Sequence, residues 1–146
     1  MIVYVDSSVL ARAYLMDEPD HADAVALIED ADVALITGSW TRVEVSRALV
    51  RAARTGRGNE ADLLALLDSD LGPDGPVTVV SAPQESVEEQ ALVLVRQHAL
   101  RAMDAWHLAT AALTIKTLAE PGEEIGFASR DDAQSAVAGL MGFRCI

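Results

Sequence analysis

The chain has 146 residues, with 11 Lys and Arg against 23 Asp and Glu for a formal charge of −12, and 51% of its residues are apolar. That apolar fraction excludes a disordered chain, and no apolar run approaches the roughly 18 residues a membrane span needs. The acidic balance and an aromatic content of 4% exclude a protein that coats nucleic acid through bulk electrostatics or a broad base-stacking platform. An enzyme that grips a short stretch of substrate stays open, since metal-binding carboxylates add negative charge, and so does an acidic surface for a basic partner. One domain over residues 1–146, soluble and cytoplasmic, is the expectation. The opening run lacks the basic segment and cleavage site of a signal peptide, and the single cysteine, Cys145, has no partner for a disulfide or a thiolate metal site.

Met1-Ile2-Val3-Tyr4-Val5 reads as a buried strand that ends abruptly in Asp6-Ser7-Ser8. In a parallel α/β protein such strand ends open into the crevice where ligands bind, which makes Asp6 a candidate site residue. Val9 to Met16 begins a helix. Asp17-Glu18-Pro19-Asp20 then reads as a restart, with an acid as N-cap and proline in the first turn of a helix through Ile28. The three acids there are accounted for by capping and dipole placement. A second strand, Val33 to Thr37, leads into a long helix from about Trp40 to Arg54, with Val43, Ala48, Leu49, Ala52 and Ala53 as its core face. Glu44, Arg47, Arg51 and Arg54 recur at intervals of three and four on another face. That stripe is either a solvated face with a Glu–Arg pair, or a metal ligand followed by a rail for phosphates.

A helix over about Glu60 to Leu71, a turn at Gly72 to Pro76 and a short strand at Val77 to Val80 come next. Two helices follow, Gln84 to His98 and a second from around Arg101–Asp104 to Leu118, whose alanines at 105, 109, 111 and 112 suit close packing. Asp104, near the start of an otherwise buried helix, has to be paired, capping or coordinating. His107, one turn on, reads as a core or supporting histidine rather than a ligand. The last clear strand, Ile125 to Ala128, also ends in a hydroxyl and acids, Ser129-Arg130-Asp131-Asp132, before a helix over Ala133 to Leu140. Strands alternating with helices specify a three-layer α/β domain with a mostly parallel sheet. In such a fold Asp6, Glu44, Asp104 and Asp131 fall at one edge of the sheet. Carboxylates packed together call for a neutralising cation, and an all-oxygen set suits Mg²⁺ or Mn²⁺ better than zinc.

The four segments Val3-Tyr4-Val5-Asp6-Ser7-Ser8, Trp40-Thr41-Arg42-Val43-Glu44, Asp104-Ala105-Trp106-His107-Leu108-Ala109-Thr110-Ala111 and Ala128-Ser129-Arg130-Asp131 occur in that order. In this the chain resembles the PIN-domain family, and more narrowly its VapC-type toxins, over essentially its whole length. The resemblance implies a PIN-like fold with a sheet of about five strands flanked by helices, and Mg²⁺ (or Mn²⁺)-dependent endoribonuclease activity on tRNA, rRNA or mRNA. It also implies a homodimer and a small antitoxin whose tail occupies the active-site groove. Carried over, Asp6, Glu44 and Asp104 match the core acids, Asp131 rather than Asp132 the fourth, and Ser8 a supporting hydroxyl. Arg47 and Arg51 are the candidate substrate-binding residues. Two other readings stand beside this one. A catalytically silent PIN-like binding protein would be expected to lack one of the four acids. A phosphotransferase of the haloacid-dehalogenase kind needs a second Asp where Ser8 stands and a downstream lysine, and the chain's one lysine is Lys116.

Overall fold

The computed structural model describes residues 1–146. It places β1 (Ile2–Val5), α1 (Ser7–Tyr14), α2 (His21–Glu29), β2 (Ala34–Gly38), α3 (Thr41–Arg54) and α4 (Glu60–Asp70) in the first half. β3 (Val77–Val80), α5 (Gln84–His98), α6 (Ala102–Leu118), β4 (Ile125–Ala128), α7 (Asp132–Leu140) and β5 (Arg144–Cys145) complete the chain. All strand pairings are parallel, in the order β3-β2-β1-β4-β5. β1 is the middle strand, and all four of its residues are buried, which is why it reads as an unbroken apolar run rather than an alternating one. The chain moves outward from β1 through β2 to β3, then crosses back to lay β4 on the other side of β1. The order therefore reverses between β1 and β4, and the crevice beyond their C-terminal ends is where an open parallel sheet binds its ligands.

Alternation along β1 divides the core in two. Val3 and Val5 face a cluster completed by Val9, Leu10, Val45, Leu49, Leu67 and Val77, beneath α1, α3 and α4. Ile2 and Tyr4 face the opposite cluster of Val87, Leu94, Leu108, Ile115, Phe127 and Val137, beneath α5, α6 and α7. The alanine-rich stretch of α6 lies here, with Ala105, Ala109 and Ala111 fully buried, so that α5 and α6 approach closely. No helix is long and apolar enough to cross a membrane.

Two sequence expectations are corrected. Val43 is 57% exposed, and the inward face of α3 is instead Thr41, Val45, Leu49 and Ala52. The acids before α2 are not caps. Asp20, at the N-cap position, is in left-handed conformation and makes no capping bond, and Pro19 precedes the helix. Asp17 and Glu18 instead pair with Arg57, from beyond α3, and Asp20 with Arg12 of the preceding helix and with Arg130 from beyond β4. The fifth strand of the expected sheet is β5, after the last helix, a two-residue edge too short and too exposed to show a pattern of its own.

Candidate active site

Asp6 follows β1 directly and serves as the N-cap of α1, accepting a hydrogen bond from the Ser8 amide at 3.1 Å. Asp131 follows β4 and caps α7 in the same way, through the Gln134 amide at 2.8 Å. Glu44 and Asp104 each lie in the first turn of a helix, α3 and α6, where the helix dipole favours a carboxylate. All four acids line one open cavity of about 390 Å³ together with Ser8 and Arg101. Asp132 is exposed and does not line it. The Ser8 hydroxyl accepts from the Arg130 amide at 3.1 Å and so ties the start of α1 to the loop that carries Asp131.

The acids are held in two pairs. On one side is His107, which lies buried between elements that the sequence separates widely. Its Nε2 lies 2.5 Å from Glu44 Oε2 and 3.5 Å from Asp6 Oδ1, and its Nδ1 lies 2.9 Å from the Tyr4 hydroxyl. The Gly38 amide donates to that same hydroxyl at 2.9 Å. In a neutral ring with its proton on Nε2, Nδ1 accepts from the Tyr4 hydroxyl and Nε2 donates to Glu44. Burial, the largest influence on His107, pulls its pKa down, but the Glu44 hydrogen bond and the charges of Asp6, Glu44 and Asp104 outweigh it and leave the value raised. Burial also raises Tyr4 well above the usual phenol, and Asp6 adds to the shift. His107 is thus a supporting histidine, bonded to Glu44 and Tyr4.

On the other side is Arg101, which the sequence reading did not single out. Its Nε donates to Asp104 Oδ2 at 2.6 Å and its Nη2 to Asp131 Oδ2 at 2.8 Å. Burial holds the Asp104 carboxyl above its ordinary range against the pull of this guanidinium, and Asp131 and Asp6 push the same way. Asp104 is therefore an ion-paired acid of the first turn rather than a helix cap. A signal was available in the sequence: an arginine stands where a helix start prefers Ser, Thr, Asp or Asn.

The donor set suits a hard divalent cation, being four carboxylates and a hydroxyl with no thiolate. In the present arrangement no three acidic side chains converge on a single point as one ion's ligands. Arg101 neutralises one pair and His107 engages the other.

The arginine stripe of α3 continues outward from the acids. Glu44 and Arg47, with Ser7 and Ser8, bound a smaller cavity of about 310 Å³, and Arg47 and Arg51 line the next, of about 400 Å³, between α1 and α3. Ser8 borders all of these cavities, so they form one groove. Arg12 and Arg57 also line its outer part but are ion-paired, while Arg47 and Arg51 are not. Arg54 does not line the groove.

The PIN domain family model matches residues 3–140. Among solved structures, the chain is similar to VapC20 of Mycobacterium tuberculosis, described as a sarcin-ricin loop cleaving toxin. That match has 19% identity and a TM-score of 0.61, and covers 97% of this chain and 95% of the other. The chain is also similar to VapBC-1 from nontypeable Haemophilus influenzae, at 17% identity and a TM-score of 0.55, over 100% of this chain and 97% of the other. At these identities the likeness is one of fold. Comparison with curated proteins finds no match.

Proposed function

Because the chain belongs to the PIN domain family, we propose that it is a divalent-metal-dependent endoribonuclease and the toxin of a toxin–antitoxin pair. The observation that carries this reading is the meeting of Asp6, Glu44, Asp104 and Asp131, from four separate elements, in one open cavity at the C-terminal edge of a parallel sheet. These four side chains would hold Mg²⁺ or Mn²⁺, with Ser8 beside them. Such an ion, when bound, supplies Lewis acidity for an attacking water and neutralises charge on the phosphodiester.

The chain's own residues do the positioning. The Ser8 amide fixes Asp6, and the Gln134 amide fixes Asp131. The Gly38–Tyr4–His107 chain aims Glu44 into the cavity. Arg47 and Arg51 take phosphates of the strand flanking the cleaved bond, as unpaired guanidinium groups along the groove. The Mycobacterium structure, described as a loop-cleaving toxin, supports strand scission as the reaction class. The groove of this chain would also receive the tail of a small antitoxin, and its active form would be a homodimer.

Purified protein, incubated with total cellular RNA and Mg²⁺, Mn²⁺ or EDTA, tests the reading. Discrete products that require metal are expected, and Asp6→Ala should lower their rate at least about a hundredfold with the fold intact. A rate unchanged in that variant would remove Asp6 from the mechanism.

A further inference from the structure

We propose that Arg101 is a built-in counter-cation of the acidic site, which holds Asp104 and Asp131 together and yields its place to an incoming divalent ion. The inference rests on the metal-dependent reading above and concerns how the site is kept before metal arrives.

Local folding explains only the i, i+3 pair of this arginine with Asp104, and not its reach to Asp131 on the loop before α7. It occupies the N-cap position of α6 without any side-chain capping bond. It also puts a positive charge at the helix end whose dipole favours a negative one. Its partners are all in the site: Asp104 through Nε at 2.6 Å and Nη2 at 3.4 Å, and Asp131 through Nη2 at 2.8 Å. A residue that breaks the local rule at a candidate site and bonds only to that site is explained by the site.

Exposure says which partner moves. The Arg101 side chain is 74% exposed and that of Asp104 14%. The guanidinium can swing into water and lose little, as exposed ion pairs do, whereas the acids stay where α6 and the cap of α7 hold them. A divalent ion and the guanidinium need the same oxygens, so each excludes the other. Arg101 thereby lowers the apparent affinity for metal by the fraction of molecules in which it is engaged. In exchange, two carboxylates that would otherwise repel one another stay side by side in metal-free protein.

The test is Mn²⁺ binding by calorimetry to RNA-free protein, for the wild type, Arg101→Gln and Arg101→Lys. Arg101→Gln should bind Mn²⁺ a fewfold to about tenfold more tightly. Arg101→Lys, which keeps the charge and loses the fork, should fall between that variant and the wild type. In the wild type, the ¹H–¹⁵N signal of Arg101 Nε should move from an ion-paired to a free position as Mg²⁺ saturates the site. Equal or weaker binding by Arg101→Gln, or an Nε signal unmoved at saturation, would show that Arg101 is only a clip between α6 and α7. No binding by the wild type or either variant would overturn the metal-dependent reading together with this one. Should Arg101→Gln fail to fold, the Nε signal and Arg101→Lys still decide.

Discussion

A methyl group added at Gly38 would sit 2.6 Å from the Tyr4 hydroxyl and 2.8 Å from the Trp106 ring. Both rings are confined, Tyr4 by complete burial and Trp106 by its edge contact with His107, so neither can simply step aside. Gly38→Ala should therefore cost about 1–3 kcal/mol in a urea melt. By shifting Tyr4 it should also disturb His107 and hence the aim of Glu44, lowering kcat more than it raises KM. A variant that melts lower but cleaves normally would reduce the Tyr4–His107 chain to a structural role. At this scale the sequence shows the carboxylates but not what holds them. Asp6 and Asp131 stand out because each ends an apolar strand. The partners of His107 are hidden because they lie 63 and 103 residues away, and nothing in a local pattern joins Glu44 or Tyr4 to it. Arg101 shows only as an unsuitable N-cap, a signal that gains meaning once Asp131 is known to be adjacent.

α3 is the element whose two faces divide packing from function. Val45, Leu49 and Ala52 bury one face, and Leu49→Ala, at a fully buried position, should cost about 2–5 kcal/mol in the same melt. The face bearing Glu44, Arg47 and Arg51 looks into the groove beside α1. If those arginines hold phosphates, Arg47→Ala and Arg51→Ala should each weaken binding of a non-cleavable RNA. Each should also flatten the slope of log affinity against log salt by about 0.7, the value for one single-strand contact. If the stripe is only solvated, the slope stays and stability changes by a few tenths of a kcal/mol. The stripe follows the helical period, whereas the expected place for Val43 does not. On a helical wheel Val43 lies about 140° from Ala48 and about 180° from Ala52, while Val45, Leu49 and Ala52 recur at i, i+4 and i+7 and form the buried face. Strand β5 shows the opposite limit, since its two exposed residues carry no period at all.

For the whole molecule, the charge of −12 describes the surface at large, whereas the groove is set by where unpaired arginines stand. The same separation of global and local holds for the core, where the parallel sheet divides two apolar layers. The chain's two tyrosines report on them separately, Tyr14 from the layer under α1 and α3 and Tyr4 from the layer under α5 and α6. Burial raises both above the ordinary phenol value of 10.0, and for Tyr14 the hydrogen bond to Asp70 adds to it. The unfolded chain loses these protons near pH 10 while the native one keeps them, so the native state binds more protons above that point. Stability is then fully present below about pH 10 and falls as pH rises, by roughly 1.4 kcal/mol per unit for each tyrosine. Absorbance at 295 nm should show no ionisation near pH 10 while circular dichroism stays native, and then both tyrosines ionising with loss of the fold. Tyr14→Phe should move that transition to higher pH and halve the absorbance change. If one tyrosine ionises before the other with helix content only partly lost, the two layers open independently, and the sheet is not the common wall that makes the fold cooperative.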